Sequence, residues 1–220
     1  MAGAQTLPSR QRARVLDVYR GRGHRNSNLW LVYSVKQDQD LLLHSDRSLV
    51  HWLTFLETDP SVVGFRPVTE EMSAELRVGP AAAMILERKN YQLEVHIVAA
   101  TDPGVSSVET GVGVATVHVV TVDELQARSR LALRWLKAIG YAGLFRYQDM
   151  TPVMNQLATA LTRRRSGQLD DLASDLFGHD RAAVYGAAVK AAIHGHIELD
   201  LTSHGICGAS GWKLNAFHGT

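Results

Sequence analysis

The chain has 220 residues, 45% of them apolar and 20% charged, with a net charge of +1, so it can bury an ordinary core as one large domain or two small ones. No apolar run approaches the roughly 18 residues of a membrane span, and the polar start MAGAQTLPSRQRAR lacks the apolar centre of a signal peptide, so the expected location is the cytoplasm with no membrane partner. A single cysteine, Cys207, excludes an internal disulfide and a thiolate zinc cluster, and the near-neutral charge leaves any nucleic-acid contact to local patches.

Two such patches stand out: Arg10, Arg12, Arg14, Arg20, Arg22 and Arg25 near the start, and Arg163, Arg164 and Arg165 further on. A solvated face or tail is the default account of each, with phosphate binding as the functional alternative. In chain order, SDRSLVHWLTFLE (45–57) places Leu49, Trp52, Leu53 and Leu56 at helical spacing, and TDP then stops the helix. SVVGFRPVTEEMSAELRVG predicts an extended segment, a Pro-marked turn and a second strand. AAAMILERKN and YQLEVHIVAA predict two strands joined at Arg88-Lys89-Asn90, giving a small antiparallel or mixed sheet. TDPGVSSVETGVG reads as loop, VATVHVVT as a β-branched strand, and VDELQARSRLALRWLKAIGYAG as a helix with an acidic start and a Gly stop.

Beyond about Gly143 strands become scarce. PVMNQLATALTRRR, LDDLASDLF and RAAVYGAAVKAAIHG predict three helices, followed by the strand HIELDLTS. Three helices and a strand is the order of a winged helix-turn-helix, with Gly178-His179-Asp180 as the turn. The predicted organisation is α/β: a first domain over 1–143 and a small helical, winged-helix-like domain over 144–220.

Several fragments, in order, resemble the TnsA-type endonuclease subunit of heteromeric transposases. ETDPSVVGFRPV resembles that family's DP.V..f..QP element, VHVVTVDEL its vvT.del strand and helix, and AAIHGHIELDL its closing pattern; GHRNSNLWLVYSVKQDQDLLLHSDRSLVHW occupies the place of its early S.K element and helix start. The resemblance implies a restriction-endonuclease-like mixed sheet flanked by helices, followed by the winged-helix-like domain. It also implies partners: transposon-end or target DNA, a transposase and an AAA+ regulator.

Restriction-type nucleases hold Mg²⁺ with an Asp and a Glu or Gln, aided by a Lys and by a Glu from the preceding helix. By the resemblance, the helix Glu position falls on Ser48, or on Leu49 one residue along, and the strand Asp on Ala82 or Ala83. None of these side chains supplies a carboxylate. The family's E-V-K corresponds to Leu93-Glu94-Val95-His96, which keeps Glu94 and replaces the Lys with His96. Glu94 and His96, with Glu57 or Asp59 at a distance, are the remnant candidates for a rebuilt Mn²⁺ or Zn²⁺ site, although two ligands on one strand rarely make a hard-cation site. Glu87-Arg88-Lys89 is a literal E-x-K, but at a hairpin turn it reads as surface charge.

Other motifs are weaker. His194-Gly195-His196 reads as a helix stop entering a strand, Gly111-Val112-Gly113 lacks the following helix of a phosphate loop, and Cys207 reads as a plain thiol. In the C-terminal domain Arg181, Tyr185 and Lys190 are the expected DNA contacts of the second turn-motif helix. Its alanines, Ala182, Ala183, Ala187, Ala188, Ala191 and Ala192, suit close packing with a docked protein.

The expected function is therefore a pseudo-nuclease: a TnsA-like subunit binding DNA through Arg163, Arg164, Arg165, Arg181 and Lys190, assembling with its partners, and carrying no cofactor. The alternatives are an active Mg²⁺- or Mn²⁺-dependent endonuclease cutting the transposon 5′ ends, and a stand-alone DNA-binding regulator.

Overall fold

In the computed structural model, residues 29–44, 47–78, 82–111 and 113–215 are described. The arginines Arg10, Arg12, Arg14, Arg20, Arg22 and Arg25 lie outside them.

The described chain opens with a hairpin of β1 (Leu29–Ser34) and β2 (Gln39–His44). Helix α1 (Arg47–Thr58) follows and buries Leu49, Trp52, Leu53 and Leu56, the stripe that its spacing predicted. Strand β3 (Val62–Pro67) leads to α2 (Glu70–Glu75), where the sequence suggested a strand. The helix forms because Thr69 caps it, accepting a hydrogen bond from the Met72 N–H, and Glu70 and Glu71 sit in the first turn, where the helix dipole favours negative charge.

Strands β4 (Ala83–Arg88) and β5 (Leu93–Ala99) form the predicted hairpin. The segment read as loop contains β6 (Ser107–Thr110), which pairs with β7 (Gly113–Thr121). The sheet runs β3-β4-β5-β7-β6; β5 and β7 are parallel and the other neighbours antiparallel. One face packs on α1 through Met84, Leu86, Trp52 and Leu53. The other packs on α2 through Ala83, Ile85, Val95 and Ile97. The fold class is thus mixed α/β, with a five-stranded sheet flanked by helices.

The long helix predicted after β7 is two helices, α3 (Val122–Ala127) and α4 (Ser129–Leu144). Thr121 and Glu124 form a capping box that starts α3. Then come α5 (Thr151–Arg163), β8 (Ser166–Gln168), α6 (Leu169–Asp175), α7 (Arg181–Ile193), β9 (Ile197–Leu199) and β10 (Gly211–Leu214). A small antiparallel sheet orders its strands β8-β10-β9. β8 and β10 are too short for a periodic pattern and were not expected.

Helix α7 is buried on nearly all sides, from Val184 to Val189 and again from Ala191 to Ile193. It lies against α4, whose Ala138, Ile139 and Ala142 belong to the same apolar core as α5, α6 and α7. A boundary near residue 143 therefore separates α4 in sequence from the core it helps to build. No described helix is long and apolar enough to cross a membrane.

Candidate functional site

The register of β4, β5 and β7 assembles one polar cluster on the α1 face of the sheet. Leu86 is paired with Glu94, Met84 with His96, and His96 with His118, so Glu94, His96 and His118 share that face. Nε2 of His96 lies 2.9 Å from Oε2 of Glu94, and Nε2 of His118 lies 4.0 Å from Oε1. The two imidazole rings are tilted, with centroids 5.1 Å apart. Among the described residues, these three are the one group of His, Cys, Asp or Glu side chains close enough to share a metal ion, with one ligand atom of each within 4.8 Å of the others.

Arg88, at the end of β4, controls the charge. It donates from Nε and NH2 to Oε2 of Glu94, at 2.9 and 2.7 Å, and from NH1 to Asp59 at 2.7 Å and to the Ser61 hydroxyl. Asp59 thus reaches Glu94 only through the guanidinium. Burial pushes the Glu94 carboxyl up, but the hydrogen bonds and charges of Arg88 and His96 outweigh it and hold the group below the usual carboxylate range. Burial pushes His96 down, beyond what Glu94 restores, which favours the neutral imidazole.

Glu57 sits apart in a buried cluster of its own. Its carboxylate accepts from the Ser34 hydroxyl at 2.7 Å and the Lys36 backbone N–H at 2.8 Å. The Lys36 ammonium donates to the Leu56 and Asp59 carbonyls, tying the β1–β2 turn to the end of α1. Burial raises Glu57 and lowers Lys36, the latter to about 8 against the effect of Glu57 and Asp59.

That Lys36 shift predicts a pH dependence. Between about 8 and 10.5 the unfolded chain keeps a proton on Lys36 that the folded chain has released, so stability rises with pH through that window. The expected slope is up to about 1 kcal/mol per pH unit. Urea midpoints measured across the window are expected to climb in the wild type relative to Lys36→Met; equal slopes would mean that burial does not lower the Lys36 ammonium.

The sequence candidates fall in different places. Ser48 lies in the first turn of α1 and is buried, while Ala83 points to the opposite face of the sheet from Glu94 and packs with Ile85 and Ile97. Ala82 lies on the α1 side, and the position directly across from Glu94 is Leu86. Glu87 and Lys89 are exposed at the hairpin end, and the working member of that triplet is Arg88.

Gly195 takes a left-handed φ of +79° after α7 and packs on Pro60, in keeping with a helix stop. Cys207 is exposed, and its Sγ lies 3.7 Å from Nδ1 of His204, a neighbour the sequence did not suggest.

Towards the C-terminus Arg163 and Arg165 are exposed. Arg164 is paired with Asp171 and Asp175, and Arg181 with Asp170. Lys190 is half-buried, in the last turn of α7. Tyr185, expected on an exposed face, is instead buried; it accepts from Arg181 and donates to Asp170 at 2.6 Å. Ala187, Ala188, Ala191 and Ala192 are also buried in the chain's own core, so they serve α7's packing within the molecule instead of a docked protein.

His118 was missed because its pairing with β5 is parallel and non-local; its only local signal is its place in the alternation of VATVHVVT. Against this geometry the comparisons add no relative: no family model, no curated protein and no solved structure matches the chain.

Proposed function

We propose that the chain is a TnsA-like subunit of a DNA transposition complex, working in the cytoplasm without cutting DNA. It contacts transposon-end or target DNA and assembles with a transposase and an AAA+ regulator. The observation that carries the loss of cutting is the Arg88 guanidinium on Glu94. A restriction-type centre needs carboxylates converging on Mg²⁺ beside a lysine. Here the surviving acid is neutralised by an arginine, faces Leu86 across the sheet, and has His96 in the lysine's place.

The five-stranded mixed sheet with α1 on one face supports a restriction-endonuclease-like first unit. The order helix, strand, helix, helix, strand, strand, with β10 between β8 and β9, supports a winged-helix-like second unit. Because α7 is enclosed by its neighbours, DNA contact falls first to Arg163 and Arg165, with Arg164 and Arg181 already in ion pairs and Lys190 half-buried, and takes the form of phosphate binding without base reading.

The test pairs binding with cleavage. A duplex of about 30 base pairs followed by fluorescence anisotropy is expected to bind with a steep salt dependence, and Arg163→Ala with Arg165→Ala to reduce the log–log salt slope by about 2. Supercoiled plasmid is expected to stay intact in Mg²⁺ or Mn²⁺. Nicking that Glu94→Ala abolishes would establish the active endonuclease instead, the reading favoured by His118 standing beside Glu94 and His96. DNA binding with no capture of a co-expressed transposase would leave the stand-alone regulator.

A further inference from the structure

We propose that Glu94, His96 and His118 form a binding site for a borderline divalent transition metal, of which Zn²⁺ is the type, that bridges β5 to β7. The inference is independent of the transposition role and goes beyond it.

The ligand chemistry decides the class of metal. Two imidazole nitrogens and one carboxylate oxygen match Zn²⁺, whereas Mg²⁺ takes oxygen donors in a near-ideal octahedron. The geometry is close to what is required. Ligand atoms around a tetrahedral Zn²⁺ lie about 3.4 Å apart, given bonds of about 2.0–2.1 Å. Here Nε2 of His96 lies 2.9 Å from Oε2 of Glu94 and Nε2 of His118 lies 4.0 Å from Oε1, with one ligand atom of each side chain within 4.8 Å of the others. Closing the second takes a rotation of His118, whose side chain is 48% exposed, while the more buried His96 and Glu94 stay in place.

The site also has an approach at His96. His96 lines a cleft of about 620 Å³ between α1 and the β7–α3 corner, together with Trp52, Phe55, Asp59 and Arg128. Trp52 is 2% exposed, and its indole N–H has no hydrogen-bond partner among the described residues. Arg88 sets the limit on affinity. It holds Oε2 of Glu94 and orients the carboxylate as outer-shell partners of metal ligands do. Its positive charge opposes the ion, so binding in the micromolar range is expected, weaker than in structural zinc sites.

The experiment is calorimetric titration of the full chain, stripped with chelator, using ZnCl₂ alone, with MgCl₂ in parallel. One equivalent of Zn²⁺ is expected, weakened at least about tenfold in His118→Ala. No Mg²⁺ binding is expected. A double variant, His204→Ala with Cys207→Ser, removes a second His and Cys pair among the described residues and is expected to bind Zn²⁺ as the wild type does. Because His118 is exposed, its variant should fold; a rise in thermal midpoint with Zn²⁺ in the wild type that is absent in the variant gives a second readout. Equal Zn²⁺ affinity in wild type and His118→Ala, or binding lost only in the double variant, overturns the proposal. Mg²⁺ binding lost in Glu94→Ala overturns both this site and the non-cutting reading. Intact Zn²⁺ binding without DNA binding removes only the latter's DNA contact.

Discussion

Gly186→Val is expected to destabilise the protein by about 2–3 kcal/mol, read as a lower urea midpoint at unchanged m-value. A Cβ at Gly186 would stand 2.9 Å from the Tyr141 carbonyl oxygen, which belongs to the α4 backbone, and 3.4 Å from a ring carbon of Phe145. Backbone does not swing aside as a flexible side chain does, so α4 and α7 must separate. Ordinarily a helical Gly replaced by Ala gains about 0.5–1 kcal/mol. Gly186→Ala is therefore the sharper companion: a net loss means that the crossing, not side-chain bulk, sets the cost. The damage is expected to spread, since α4 contributes Ala138, Ile139 and Ala142 to the core that α7 centres. Wild-type stability in both variants would show that the helices do not approach this closely.

The second large effect is expected at Glu57. Glu57→Ala removes the acceptor for the buried Ser34 hydroxyl and the Lys36 N–H, and takes away the carboxylate that favours the Lys36 ammonium. Two buried donors without partners, and a partly buried cation with less compensation, place the cost at about 3 kcal/mol. Glu57→Gln keeps one acceptor oxygen and the side-chain volume, and is expected to lose about half as much. Thermal unfolding of the pair checks this; equal stabilities for Glu57→Ala and wild type would mean that water already satisfies Ser34 and Lys36. The same result would weaken the link from the β1–β2 turn to α1, which holds Asp59 near Arg88 and so bears on the charge at Glu94.

The elements read correctly from sequence were those with a local signal. The α1 stripe, the β4–β5 hairpin at Arg88-Lys89-Asn90 and the Gly195 stop after α7 each follow from residues within one or two turns of each other. The errors have two origins. Met72 and Leu76 pack beneath the sheet from a helix, not a strand, because the Thr69 cap outweighs the extended character of the flanking residues. Strands β6, β8 and β10, at 4, 3 and 4 residues, are held by their partners and carry almost no pattern of their own.

The candidate site divides in the same way. Glu94 and His96 were legible because they alternate along one strand, two residues apart, and alternation puts them on one face whatever the fold. His118, 22 residues beyond His96 in the sequence, joins them only because β7 lies parallel to β5 in a register that pairs the two histidines. Which side chain stands across the sheet from Glu94 depended on the β4 register: it is Leu86, on the site's own face, while Ala83, three residues earlier, is on the α2 face. Sequence determined the local conformations and the ligand types on single strands, since those rest on backbone propensity and side-chain period. Tertiary structure alone decided that Arg88 occupies Glu94, that Glu57 belongs to Ser34 and Lys36, and that α7 is a core helix, because each depends on contacts between residues far apart in the chain.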